Sequence, residues 1–132
     1  MEVVLIDTDV VSFLFKGDSR ISLYQSHLQN KVLAISFMTV AELYYWAYTR
    51  DWGQRRIGQL EAALRKYVVL PLDLELCKRW AEIRSVREVK GSPISVQDAW
   101  IAAAALRYEI PLVTHNVGDF GEIKGLTVIS RA

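Results

Sequence analysis

A chain of 132 residues with a net charge of +1, 52% hydrophobic and 23% charged, is expected to form one domain over residues 1–132 and to bury roughly two thirds of its unfolded surface. That balance excludes a disordered or fibrous protein, and the longest unbroken apolar stretch, 99–106, is too short to span a bilayer. The only cysteine, Cys77, excludes an internal disulfide. With no basic leader or small-residue cleavage site after Met1, a reducing cytoplasm is the expected location.

The first apolar run, Val3 to Ile6, is short and does not alternate, as expected for a parallel strand covered on both faces. It ends at Asp7-Thr8-Asp9. Taken alone, Asp7 is explained by an Asx-type turn, and strand geometry would turn Asp9, two residues on, to the other side with a minor role. His27 lies in a helical pattern with no acidic or nucleophilic partner in view. A second strand is expected over Val32 to Ile35, followed by Thr39-x-x-Glu42, a capping box in which hydroxyl and acid satisfy free N–H groups of a helix start.

Tyr44, Tyr45, Trp46, Tyr48 and Trp52 form the densest aromatic cluster. On a helix the first three spread over roughly 200°, wider than one core-facing stripe, so some rings must leave the core. Core packing accounts for the rest; a protein partner is the natural reading of the exposed rings, with stacking on RNA bases as its rival. From Arg50 to Lys90 the chain holds ten basic and six acidic residues, against six and nine elsewhere. This asymmetry is that of solvated helix faces or of a basic rim beside an acidic site.

A third strand is expected over Val68 to Leu72, and Cys77 then falls on an amphipathic helix. Ser95-x-x-Asp98 is a second capping box and opens a strongly apolar helix. Leu112 to Thr114 and Thr127 to Ile129 are the last strands, with His115 exposed in the loop and Asn116-x-x-Asp119 a weaker capping pattern. The alternation predicts an α/β fold: a mostly parallel central sheet of about five strands, joined by right-handed crossovers and flanked by helices on both faces.

Capping explains any one acid, but the joint pattern says more. Asp7, Glu42, Asp98 and Asp119 each sit where an apolar segment yields to a loop or a first helical turn. In open α/β sheets these positions line the crevice at the strands' carboxyl ends. Gathered carboxylates repel one another unless a proton is retained or a cation is present, and an all-oxygen set points to Mg²⁺ or Mn²⁺.

The segments around these acids, Leu5-Ile6-Asp7-Thr8-Asp9, Thr39-Val40-Ala41-Glu42-Leu43, Ser95 through Ala103 and Leu112-Val113-Thr114-His115-Asn116-x-x-Asp119-Phe120, resemble in order and spacing the signature segments of PIN-domain ribonucleases, in particular the small VapC-type toxins of toxin–antitoxin pairs. The resemblance implies a PIN-like fold and a metal-dependent endoribonuclease hydrolysing RNA phosphodiester bonds. It implies that Asp7, Glu42 and Asp98 hold the principal metal, that Asp119 completes the set for a second metal or the attacking water, and that Thr8, Thr39 and Asn116 orient these groups from behind. Asn116 stands where some family members carry another acid. The implied partners are RNA, a cognate antitoxin and a second copy of the chain. Two alternatives stand beside this reading. Asp7-Thr8-Asp9 also resembles the start of haloacid-dehalogenase-type phosphatases, although no phosphate-binding lysine sits at a suitable strand end; the other alternative is a non-catalytic regulatory binding module.

Overall fold

The computed structural model describes residues 1–132. Five strands, β1 (Val3–Ile6), β2 (Val32–Ser36), β3 (Val68–Leu70), β4 (Leu112–Val113) and β5 (Val128–Ile129), form one sheet in the order β3-β2-β1-β4-β5. Every pairing is parallel. Seven helices intervene: α1 (Thr8–Lys16), α2 (Gln25–Leu28), α3 (Phe37–Thr49), α4 (Gln54–Leu64), α5 (Leu74–Val89), α6 (Val96–Tyr108) and α7 (Val117–Phe120), with a 3-10 turn at Ser19–Leu23. The expected α/β fold is present, and its strand ends differ by small margins. β3 stops at Leu70 because Pro71 has no N–H to continue the ladder.

β1 is the central strand, and Val4, Leu5 and Ile6 are wholly buried. Successive side chains point to opposite faces. Leu5 joins Ala34, Leu76, Ile101 and Leu112 in a core beneath α5 and α6, while Val4 and Ile6 join Val10, Ile35, Leu43 and Val113 in a second core beneath α1, α3 and α4. Covered faces on both sides are why these runs lack alternation. A bidentate ion pair from Arg107 to Asp73, at 2.7 Å, ties the end of α6 to the start of α5. No helix is long and apolar enough to cross a membrane.

From β1 the chain first builds outward to β2 and β3, then returns to lay β4 along the other side of β1. The strand order reverses between β1 and β4, and the carboxyl ends of two such strands are where open α/β sheets form their ligand crevice. Asp7 and Thr114 are the residues that leave those two strands.

Candidate active site

Asp7 is the N-cap of α1 and almost wholly buried. Its Oδ1 accepts from the Thr8 N–H at 2.7 Å and its Oδ2 accepts from the Thr114 hydroxyl at 2.7 Å. Thr114 is fully buried and its Oγ1 also accepts the Asn116 N–H at 3.0 Å. One hydroxyl thus joins the acid after β1 to the loop after β4. Neither capping nor an Asx turn requires so deep a carboxylate.

Glu42 reaches the same crevice from the second turn of α3. The Thr8 hydroxyl donates to Glu42 Oε1 at 2.9 Å and lies 2.9 Å from Thr39 Oγ1. Because the Thr8 proton goes to the carboxylate, Thr39 donates to Thr8, giving a relay that orients Glu42. The expected capping box at Thr39 is corrected here. Ser36 is the N-cap, its Oγ accepting the Met38 N–H at 3.0 Å, so the helix starts three residues earlier and Thr39 turns inward to the relay. The box at Ser95 is half formed: Ser95 Oγ accepts the Asp98 N–H at 3.0 Å and fixes the first turn of α6.

Asp119 lies near enough to Asp98 to raise its pKa, and Asn116 Nδ2 donates to Asp119. Asn116 therefore orients Asp119 by its side chain, without capping α7. Arg87, almost buried and without a carboxylate partner, donates to the Ser92 carbonyl at 2.6 Å and the Gly121 carbonyl at 3.3 Å. It ties together the loops that flank Asp98 and Asp119.

The electrostatics show that the acids act on one another. Burial, then Asp9 and Asp98, push Asp7 up to about 7 against the pull of its two hydrogen bonds. Burial and Asp119 push Asp98 up to about 6. Burial also raises Glu42, opposed by Thr8 and aided by Asp9. Carboxylates this close repel one another unless a proton is retained or a cation is present. The donor set is all oxygen and suits a hard divalent ion. The acids nonetheless face one another along the crevice as a chain, and no three converge into a ready-made cage for one ion.

Asp9 corrects a second expectation. The expectation that strand geometry turns it away from Asp7 fails, because residues two apart on a strand share a face and α1 has in any case begun at Thr8, where the Asp9 carboxylate is near enough to raise the pKa of Asp7. Asp9 Oδ1 accepts the Val10 N–H and its Oδ2 accepts the His115 N–H at 3.1 Å. His115 is not merely exposed: it is half-buried, with Nδ1 2.5 Å from the hydroxyl of the wholly buried Tyr24. His27 has no acidic partner, as expected, but Nε2 accepts from the Arg131 guanidinium. Thr114 and Tyr24 are the contributors that sequence reasoning missed. Thr114 had one usable signal, its place at the end of β4 matching that of Asp7 at the end of β1.

Fold and site together define an open parallel α/β domain with an acidic crevice at its switch point. A PIN domain model matches residues 4–126, and the chain belongs to the PIN domain family. Ribonuclease VapC1 of Haemophilus influenzae (strain R2866) is 29% identical over 126 residues, covering 94% of each chain. The tRNA(fMet)-specific endonuclease VapC of Salmonella typhimurium is 26% identical over 124 residues, again covering 94% of each. The structure of VapBC-1 from nontypeable Haemophilus influenzae matches with a TM-score of 0.79 at 28% identity, covering 97% of both chains. Family membership sets aside the dehalogenase-type phosphatase.

Proposed function

We propose that this chain is an endoribonuclease that acts as the toxin of a toxin–antitoxin pair and depends on Mg²⁺ or Mn²⁺. What carries the reading is the mutual influence of the acids, Asp9 and Asp98 raising Asp7, Asp9 raising Glu42, and Asp119 and Glu42 raising Asp98. The relatives named as ribonucleases match across nearly the whole chain. A binding module would have little use for carboxylates that raise one another's pKa.

Asp7, Glu42, Asp98 and Asp119 would have to draw together to hold the ion, which when bound would supply Lewis acidity toward the phosphate and the attacking water. The chain's own residues do the rest. Thr8, Thr114 and Thr39 fix the carboxylates of Asp7 and Glu42 before substrate arrives, so that little reorganisation remains at the moment of reaction. Asp119, exposed and steered by Asn116, accepts the proton of the attacking water. The new bond forms between water oxygen and phosphorus in line with the bond that breaks, and the leaving sugar oxygen takes a proton from solvent. No covalent enzyme intermediate is needed.

The partners of this reading are RNA, a cognate antitoxin and a second copy of the chain, and its setting is the cytoplasm. The test is incubation with total cellular RNA and Mg²⁺ or Mn²⁺, with and without EDTA, beside Asp7→Asn, followed by sequencing of new 5′ ends. Discrete new ends that vanish in EDTA and with Asp7→Asn are expected. Undiminished cleavage in EDTA would overturn the mechanism.

A further inference from the structure

An acidic crevice has to accept a polyanion. Asp7, Asp9, Glu42, Asp98 and Asp119 repel every phosphate that approaches, so an RNA strand needs fixed cations on the rim to hold the phosphates beside the one being cut. One such cation, Arg20, and one ring N–H donor, His115, lie together next to Asp9. Arg20 rises from the 3-10 turn with its guanidinium carbon 4.2 Å from the centre of the Phe13 ring, and the His115 ring meets the same Phe13 edge-on at 5.3 Å. Phe13 is almost buried, while the Arg20 side chain is 53% exposed. The His115 N–H donates to Asp9 Oδ2 at 3.1 Å, and Arg20 shares the Phe13 ring with His115, which sets both groups beside Asp9.

Their free donors are defined by what they already bind. Arg20 donates through Nε and Nη2 to Asp18, leaving Nη1. The Tyr24 hydroxyl lies 2.5 Å from His115 Nδ1 and 3.3 Å from the Thr114 carbonyl, so it donates to the nearer Nδ1 and the ring proton sits on Nε2, while the His115 backbone N–H is spent on Asp9. Tyr24 in turn accepts the Arg131 N–H at 3.0 Å, so the imidazole is braced from the core. Stacking on Phe13 holds Arg20 against the same support at little entropic cost.

We propose that Arg20 Nη1 and His115 Nε2, mounted on Phe13, form a subsite for a phosphate of single-stranded RNA adjacent to the one that is cut. The subsite rests on the nuclease reading, and Asp18 tempers it by neutralising part of the Arg20 charge. Binding of a short labelled single-stranded RNA is measured in EDTA on an Asp98→Asn background, across about 50 to 200 mM salt. Arg20→Ala is expected to weaken binding about fivefold and to reduce the slope of log K against log salt by about 0.7, the loss of one phosphate contact. Asp18→Asn keeps the acceptor for the Arg20 N–H but removes the neutralising charge, and is expected to tighten binding about twofold or more. Both side chains lie on the surface, so thermal melts should stay near that of the parent.

Unchanged affinity and slope in both variants, with a parent protein that cleaves RNA in Mg²⁺ or Mn²⁺, would overturn the subsite and leave the nuclease reading standing. A loss confined to binding of a protein partner would also overturn it. A native protein that cleaves no RNA in either metal overturns the nuclease reading itself.

Discussion

Asp7 and Asp98 are the acids most changed by folding. With folded values of about 7 and about 6 against 3.8 for a free side chain, the metal-free folded state holds more protons than the unfolded state between those limits. Its stability is therefore fully present below about pH 4 and falls as pH rises toward 7. Urea midpoints measured in EDTA across this range should decline, and Asp7→Asn should flatten the decline; a rise with pH would contradict the arrangement. The lowered acids, Asp18 at about 2 and Asp73 below its ordinary value, titrate beneath this window.

In EDTA near pH 8, Asp7→Asn and Asp98→Asn should match or exceed the parent in stability, by on the order of 1 kcal/mol, because each removes stored repulsion. Millimolar Mg²⁺ should reverse the ranking, since it stabilises only a folded site that binds it. Thermal melts of the three proteins in both buffers decide it: variants lower in EDTA, with equal gains from Mg²⁺, would make these acids structural. Thr114→Val should behave differently. It strips Asp7 Oδ2 of a donor and the Asn116 N–H of its acceptor, costing about 1–3 kcal/mol and most of the cleavage. Its role was hard to foresee, since a threonine after Leu112 and Val113 is ordinary strand material. The place of Asp9 did not follow from periodicity: a two-residue offset keeps both side chains on one face of a strand and turns about 200° on a helix, and what fixes the carboxylate is the His115 N–H from the loop after β4.

Both helix starts offered two hydroxyls three residues apart: at α6, Ser92 is held by Arg87 and Ser95 takes the cap, whereas at α3, Ser36 claims the first free N–H groups ahead of Thr39. Glu42 thereby moved from the first turn to the second, into reach of Thr8. The aromatic stretch on α3 divides as its angular spread required. Trp46 and Trp52 pack beside the core, with Trp52 stacked on Phe15 at 5.7 Å, whereas Tyr45 and Tyr48 are 65% and 67% exposed. Replacing Tyr45 and Tyr48 together with Ala should leave the isolated chain within about 0.5 kcal/mol of its parent. The same change should weaken association with a partner chain by tenfold or more, on the order of one hot-spot residue. Thermal melts of the isolated chain, with gel filtration and a pull-down against the cognate antitoxin, test both halves, and unimpaired association would remove these rings from the interface.

At the scale of the whole molecule, the alternation of apolar runs was enough to foresee a parallel sheet with both faces covered. The order of its strands was not visible. Nothing in the composition of β4 says that it lies beside β1 rather than extending the sheet past β3, because neighbours are chosen by how helices pack across the faces. That choice puts Thr114 against Asp7, a contact that spans 107 positions of the chain. It also sets a clock on synthesis. A ribosome that has released everything up to β3 has made a chain with Asp7 and Glu42 but without Asp98, Thr114 or Asp119. The nascent chain should be harmless to RNA through most of its translation, arming itself only when its last quarter emerges.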